Sequence, residues 1–214
     1  MTSFDSIREL SSFRNAKDEM ISRKTVGKIL EAGRQTPSPG NVQSLEFIVV
    51  EDEHKKHMFA DASGDERVEH APTLVIVLAD IDRMARRVGD GRAREFSAAE
   101  AASAIQNMRL TAWEEDIASC WISGFDEQQV AGQFNIPSGK VPMGAVAFAY
   151  TDTPVEKPSR FGMNSVAFYD EYDNQIGSVF DGVEWKGLEE NKRIYGKKAS
   201  GLTHKLRRKL RKFL

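Results

Sequence analysis

Apolar positions along this chain change period several times, and each change marks an element. From Ser22 onward, Val26, Ile29, Leu30 and Gly33 recur at three and four residues, which predicts a helix with Ser22 as its N-cap and Pro37 and Pro39 beyond its end. Ile7 to Arg14 starts with helical spacing and breaks at the polar "SSFRN". "LEFIVVE" (Leu45–Glu51) is short, β-branched and aromatic, and predicts a strand. "DEHKKHMFADA" predicts a short helix. "TLVIVLAD" (Thr73–Asp80) is continuously apolar, the pattern of a strand covered on both faces. "RMARRVGDGR" is charged, holds two glycines and predicts a mobile connection. Arg94 to Glu115 is the longest helical pattern, rich in alanine. "SCWI" (Ser119–Ile122) predicts a short strand, Asp126 a cap for a helix running to Phe134, and "MGAVAFAY" (Met143–Tyr150) another core strand.

Strands and helices mix without a regular βα repeat, so the fold class is α+β. There is no internal repeat and no low-complexity linker. With 214 residues, 40% hydrophobic and 29% charged, the chain suits one globular domain with a tail. We expect a domain over 1–185 and a basic helical extension over 186–214. Residues 186–214 carry 11 Lys+Arg against 2 Asp+Glu, or +9, whereas the other 185 residues carry 19 against 30, or −11. Leu202, Leu206, Leu210 and Phe213 recur at helical spacing among lysines and arginines. Such a basic amphipathic helix suits packing on an acidic partner subunit, weak contact with an anionic membrane, nucleic acid, or plain solvation. No base-reading motif accompanies it, so no specific nucleic acid is expected. No apolar run reaches the roughly 18 residues of a membrane helix. No secretory signal pattern opens the sequence, and Cys120 is the single cysteine, so a reducing cytoplasm is the expected location.

Familiar catalytic signals are missing. His54 and His57 lie three apart and His70 follows, but no HExxH or cysteine pair joins them, and solvated surface histidines are the plainer reading. Cys120 sits in an apolar strand and reads as structural. No G-x-G-x-x-G, Walker A loop or G-x-S-x-G elbow is present. What remains is a set of polar turns. "SSFR" (Ser11–Arg14) offers hydroxyls and a guanidinium suited to a phosphate. "PSPGN" is a stiff turn carrying a hydroxyl and a carboxamide. "ISGFD" (Ile122–Asp126) puts glycine between a strand and a helix, permitting close approach of a flat ligand.

In this order the turns resemble the FMN-dependent nitroreductase family, from about Ser12 to Phe168. "SSFR" matches its phosphate motif through Ser12 and Arg14. "TPSPGNVQSLEF" matches "APS-x-x-N-x-Q-x-W" through Pro37, Ser38, Pro39, Asn41 and Gln43. Ala104, Gln106, Asn107, Leu110 and Ala112 match the helical "A-x-Q-N-x-x-L-x-A". "DIASCWISGF" and "FNIPSGKVPMGAVAFAY" resemble the next two elements, and Arg160 falls where a late phosphate-binding basic residue often stands. The chain departs from the pattern at Leu10 (first arginine), at Leu45 and Glu46 (tryptophan region), and at Asp116, Ala118 and Ala149 (glycines).

The resemblance implies a nitroreductase-like fold, a central mostly antiparallel sheet surrounded by helices, in an intertwined homodimer with FMN at the interface. Ser12, Arg14 and Arg160 would hold the phosphate. Pro37, Ser38, Pro39, Asn41 and Gln43 would line the flavin from the partner chain. Backbone at Ile122, Ser123 and Gly124 would face its reactive edge. NADH or NADPH would donate hydride, and a nitroaromatic, quinone or other electron-poor small molecule would accept it, with ping-pong kinetics and no catalytic side chain. Met84, Arg87 and Phe96 are candidates for lining the cleft. The alternative is a flavin-binding relative with a specialised role: reductive dehalogenation, flavin cleavage, or binding without catalysis.

Overall fold

The computed structural model describes residues 3–153, 155 and 159–175, and divides the chain into two compact units, Met1–Lys157 and Pro158–Leu214. In the first unit the helices are α1 (Ser3–Glu9), α2 (Arg23–Arg34), α3 (Glu53–Ser63), α4 (Arg67–His70), α5 (Ile81–Val88), α6 (Asp90–Glu114) and α7 (Glu127–Gln133). Its strands are β1 (Leu45–Val50), β2 (Thr73–Asp80), β3 (Ala118–Ile122) and β4 (Lys140–Ala149). They form one sheet in the order β1-β2-β4-β3, every pairing antiparallel. This is the expected α+β arrangement of helices around an antiparallel sheet. In the second unit the described residues form a 3-10 turn at Met163–Ser165 and a bridge between Phe168 and Gln175.

The continuous apolar run of β2 is explained by its place inside the sheet with a core on each face. Leu74, Ile76 and Leu78 point into a cluster with Phe13, Phe59, Val68, Cys120 and Val130, while Val75 and Val77 point into one with Ile29, Ile105, Met108 and Phe148. The alanines of α6 and Gly33 of α2 let these two helices close on the second face. A Cβ on Gly33 would come within 2.9 Å of Met108 Cγ. Caps fix the helix starts: Ser22 Oγ accepts from Thr25 N at 3.1 Å, and Asp52, Asp80 and Asp126 accept likewise from the third residue on.

Elements α5, α6 and β4 differ from the sequence reading. The charged stretch after β2 is helical rather than a loose connection, because Asp80 caps it and Met84 docks wholly buried. Gly89, at φ +84°, ends α5 and α6 starts one residue later, four residues before its expected start. β4 begins at Lys140, earlier than its apolar core implies. A bulge between Val77 and Leu78 carries the pairing past Pro142, which has no N–H to donate.

The register places the site candidates. Leu45 at the start of β1 is level with Ala79 at the end of β2, which is level with Val141 at the start of β4. Ile122, the last residue of β3, pairs with Ala145, and the chain leaves β3 toward that same end. The turn before β1, the start of α5 and the exit of β3 therefore share one end of the sheet.

Candidate functional site

Ser11 to Arg14 is stitched to the chain that follows β4. Val155 N donates to Ser12 O at 2.8 Å, Ser11 Oγ reaches Val155 O at 2.5 Å, and Lys17 N donates to Tyr150 O at 2.8 Å. Phe13 is wholly buried, so the segment is anchored in the core between two polar residues. Ser12 Oγ is buried, with no hydrogen-bond partner of ordinary geometry among the described residues. It lies near the Cys120 thiol on β3. Arg14 is exposed, and no carboxylate pairs with it among the described residues. Arg160 belongs to the second unit and is exposed there.

Cys120 is the structural residue its sequence suggests. Burial pushes its thiol above the ordinary range, against smaller opposing effects from Ser12, Arg67 and Arg109. Because the thiolate is the nucleophile, iodoacetamide at neutral pH should label Cys120 slowly in the folded protein and readily in denaturant, measured by intact mass. Fast labelling of folded protein would contradict this burial. Arg109 is also desolvated, which lowers its pKa, and its Nε donates to Ser119 Oγ at 3.2 Å.

The turn before β1 is held in a strained shape. Gly40, Asn41 and Gln43 all have left-handed φ, at +58°, +57° and +53°. Two of these are not glycine, and such residues persist only where neighbours over-determine them. The neighbours are visible. Ser38 Oγ accepts from Gln43 N at 3.0 Å, and Gln43 Nε2 donates to Asn41 Oδ1 at 3.2 Å. Arg83 Nη1 on α5 donates to Gln43 O at 2.7 Å. The buried Glu100 carboxylate on α6 accepts from Ser44 N at 3.1 Å and Ser44 Oγ at 2.7 Å. A hollow of about 220 Å³ beside the turn is lined by Gly33, Thr36, Gln43, Leu45, Phe47 and Glu100.

At the exit of β3, Ile122 turns its side chain into the core at 4% exposure, so only its backbone is available to a ligand. Ser123 and Gly124 are exposed, and a Cβ on Gly124 would meet nothing within 4 Å. Their backbone N–H groups make no hydrogen bond among the described residues.

The first unit thus gathers its candidates into two groups. Ser12 lies beside Cys120, two residues from the end of β3, so Ser12, Ile122, Ser123 and Gly124 belong to one edge of the sheet. Pro37, Ser38, Pro39, Asn41 and Gln43 belong to the other. Three strand spacings separate these edges, about 14 Å. Ile122–Gly124 leave β3 toward the end that carries the turn, whereas the chain after Ser12 runs to Asn15 and Lys17, beside Glu51, Pro72 and Tyr150 at the other end.

Sequence reasoning missed Arg83 and Glu100, which hold the turn. A glutamate inside an alanine-rich helical face was the available signal for Glu100; Arg83 was hidden in the stretch read as a loop. Of the residues proposed to line a cleft, Met84 is buried and Phe96 is covered by the Arg92 guanidinium at 4.3 Å. The histidines are peripheral: His57 Nδ1 meets Glu69 Oε1 at 2.9 Å, and no metal-ligand cluster occurs among the described residues. A larger cavity of about 420 Å³, lined by Asn15, Lys17, Glu51, Lys56, Glu69 and His70, lies away from the turn. No described helix is long and apolar enough to cross a membrane.

Residues 7–66 and 53–150 match the model of the nitroreductase family. The chain belongs to that family. Among curated relatives, this nitroreductase-family chain is 28% identical over 144 residues to a protein named "Putative NADH dehydrogenase/NAD(P)H nitroreductase" from Archaeoglobus fulgidus, covering 65% of this chain and 79% of that one. It is 29% identical over 79 residues to "FMN reductase [NAD(P)H]" of Bacillus subtilis, spanning only 32% of that protein. Among solved structures, NfrA2 of B. megaterium superposes with a TM-score of 0.75 at 19% identity, covering 92% of this chain and 85% of that one. A nitroreductase family protein from Clostridium difficile gives a TM-score of 0.71 at 22% identity, covering 80% and 99%. At such identities the structural likeness establishes the nitroreductase fold.

Proposed function

We propose that this chain is an FMN-dependent oxidoreductase that takes hydride from NADH or NADPH and passes it to an electron-poor small molecule such as a nitroaromatic or quinone. The observation that carries this reading is the locked polar turn before β1, on the opposite edge of the sheet from Ser12 and the exit of β3. A second copy supplying its turn would bring the two groups to one flavin. Members of the family are typically homodimers. The exposed or half-exposed Ala98, Ala99, Ala102 and Ser103 of α6 present small side chains that would let another helix approach closely.

The residues present fit FMN. Arg14 offers an exposed guanidinium with no carboxylate paired to it among the described residues, and Ser12, two residues before it, a buried hydroxyl whose neighbour is the Cys120 thiol. These would hold the phosphate through charge-assisted hydrogen bonds. Pro37, Ser38, Pro39, Asn41 and Gln43, already locked by Arg83 and Glu100, would line the flavin with little ordering left to occur on binding. Bound FMN would supply the hydride-accepting and hydride-donating chemistry. The free N–H groups of Ser123 and Gly124 would donate toward negative charge developing beside them, preorganised by their attachment to β3. Leu45 and Glu46, in place of the family's tryptophan region, leave the flank of the cleft different in shape, which bears on the choice of acceptor.

We place the protein in the cytoplasm, with a flavin-binding domain over 1–185 and an extension over 186–214. The basic tail and its proposed membrane contact lie outside the described residues.

The test is direct. Purified protein should be yellow, hold about one FMN per chain, and bleach when NADH or NADPH is added without oxygen; steady-state plots should be parallel for donor and acceptor. A colourless protein that takes up no added FMN refutes the reading. Bound flavin that both nicotinamides leave oxidised would favour a binding role instead.

A further inference from the structure

Arg83 and Arg87 stand one helical turn apart on α5, and both reach the turn before β1. Their charges are answered differently. Arg83 Nη2 lies 3.2 Å from Asp80 Oδ2 and 3.4 Å from Glu46 Oε1, and Lys140 also pairs with Glu46. Arg87 lies against Gly40, where any Cβ would overlap its Nε. Gly40 is favoured by its φ of +58°, and its lack of a Cβ leaves room for the Arg87 guanidinium to lie on the turn. No carboxylate pairs with Arg87 among the described residues, and the side chain remains exposed.

An exposed arginine is ordinarily a mobile, hydrated charge. This one rests on the backbone of a locked turn, and its neighbour on the same helical face is already neutralised. It is a guanidinium with a defined position and an open face, the arrangement that suits a phosphate monoester through paired N–H donors.

On the oxidoreductase reading above, a dinucleotide whose nicotinamide enters the cleft must lay its adenosine end over the rim. We propose that Arg87 recognises the 2′-phosphate of NADPH there and makes this protein select NADPH over NADH. Arg86, adjacent and exposed, adds to the local positive field. Arg83 holds the turn and does not take part in recognition.

The FMN-loaded protein is titrated calorimetrically with 2′,5′-ADP and with 5′-AMP, and its flavin reduction by NADPH and NADH is followed by stopped flow. Wild type should bind 2′,5′-ADP roughly tenfold more tightly than 5′-AMP, as expected for one charge-assisted pair, with the gap narrowing as salt is raised. Arg87→Gln should abolish the difference and leave NADH reduction, FMN content and thermal midpoint unchanged. Arg87→Lys should restore part of it, keeping the charge without the fork. Equal binding of the two nucleotides by wild type, or an unchanged ratio in Arg87→Gln, overturns the assignment. Loss of FMN in both variants also overturns it, making Arg87 a residue that holds the turn. A protein that takes up no FMN fails both readings, whereas FMN uptake with nucleotide-indifferent reduction fails only this one.

Discussion

Phe13→Ala should lose about 3–5 kcal/mol of stability, the usual cost of emptying a fully buried phenylalanine site, together with most of the affinity for FMN. The two losses have one cause. Phe13 is wholly enclosed in the core cluster that also holds Phe59 and Cys120. Its neighbours in sequence are Ser12 and Arg14, the proposed phosphate ligands. A cavity there releases both from their positions, because Phe13 supplies the apolar anchor and only a few backbone bonds, such as Val155 N to Ser12 O, supply the rest. Urea unfolding followed by tryptophan fluorescence reads the stability, and flavin fluorescence reads the binding. Phe148→Ala is the control: it empties an equivalent site in the cluster on the opposite face of the sheet. It should cost similar stability with far less effect on flavin affinity. Equal flavin loss in the two variants would mean that global destabilisation, not the anchoring of Ser12 and Arg14, sets FMN binding.

Glu100→Ala should free the turn before β1. It removes both acceptors of Ser44, the backbone N–H at 3.1 Å and the hydroxyl at 2.7 Å, in a place where Ser44 is wholly buried and water cannot easily replace them. Hydrogen bonds to a charged acceptor are worth about 1.5–3 kcal/mol each, so an overall loss of roughly 2–4 kcal/mol is expected. The strained φ values of Asn41 and Gln43 then lose one of their restraints. Amide hydrogen exchange across 38–44 should quicken, and flavin affinity should fall roughly tenfold or more. Glu100→Gln keeps one acceptor oxygen and should lie between. Unchanged exchange and unchanged FMN affinity in Glu100→Ala would show that Arg83 and the Ser38–Gln43 bond suffice to hold the turn.

How far the chain could be read in advance differs from element to element, for physical reasons. β2 announced itself because a strand with a core on each face needs an unbroken apolar run. α2 was legible at its start because Ser22 does there what a serine side chain does best, accepting from the N–H three residues on. α5 was not legible. Its arginines are solvent-facing in composition but partly structural in fact, and the glycine that ends it looked like one more sign of a loop. β4 was read short because Pro142 argues against a strand unless a bulge relieves it, and a bulge is a property of the pairing with β2, not of β4 alone.

The candidate site divides in the same way. The polar set Ser38, Asn41 and Gln43, beginning between Pro37 and Pro39 and continuing past them, is written locally, since a turn's residues interact with one another: Ser38 with Gln43, Gln43 with Asn41. Ser12 with Arg14, and Gly124 after β3, are also local motifs. What secures them is not. Glu100 meets Ser44 across 56 residues and Arg83 meets Gln43 across 40, and neither contact has a sequence spacing that could reveal it.

By itself the sequence determined the α+β class, the family resemblance and the identity of the polar turns, because helix caps, alternating strands and tight turns are set by side chains within a few residues. Only the tertiary structure decided that the turn before β1 and the exit of β3 with Ser12 lie on opposite edges of one sheet, about 14 Å apart across three strand spacings. It also decided which charges are spent on holding the turn and which, at Arg87, is left facing outward. Those outcomes depend on strand order, register and the docking of α5 and α6, which emerge when the whole core packs and belong to no single stretch of the chain.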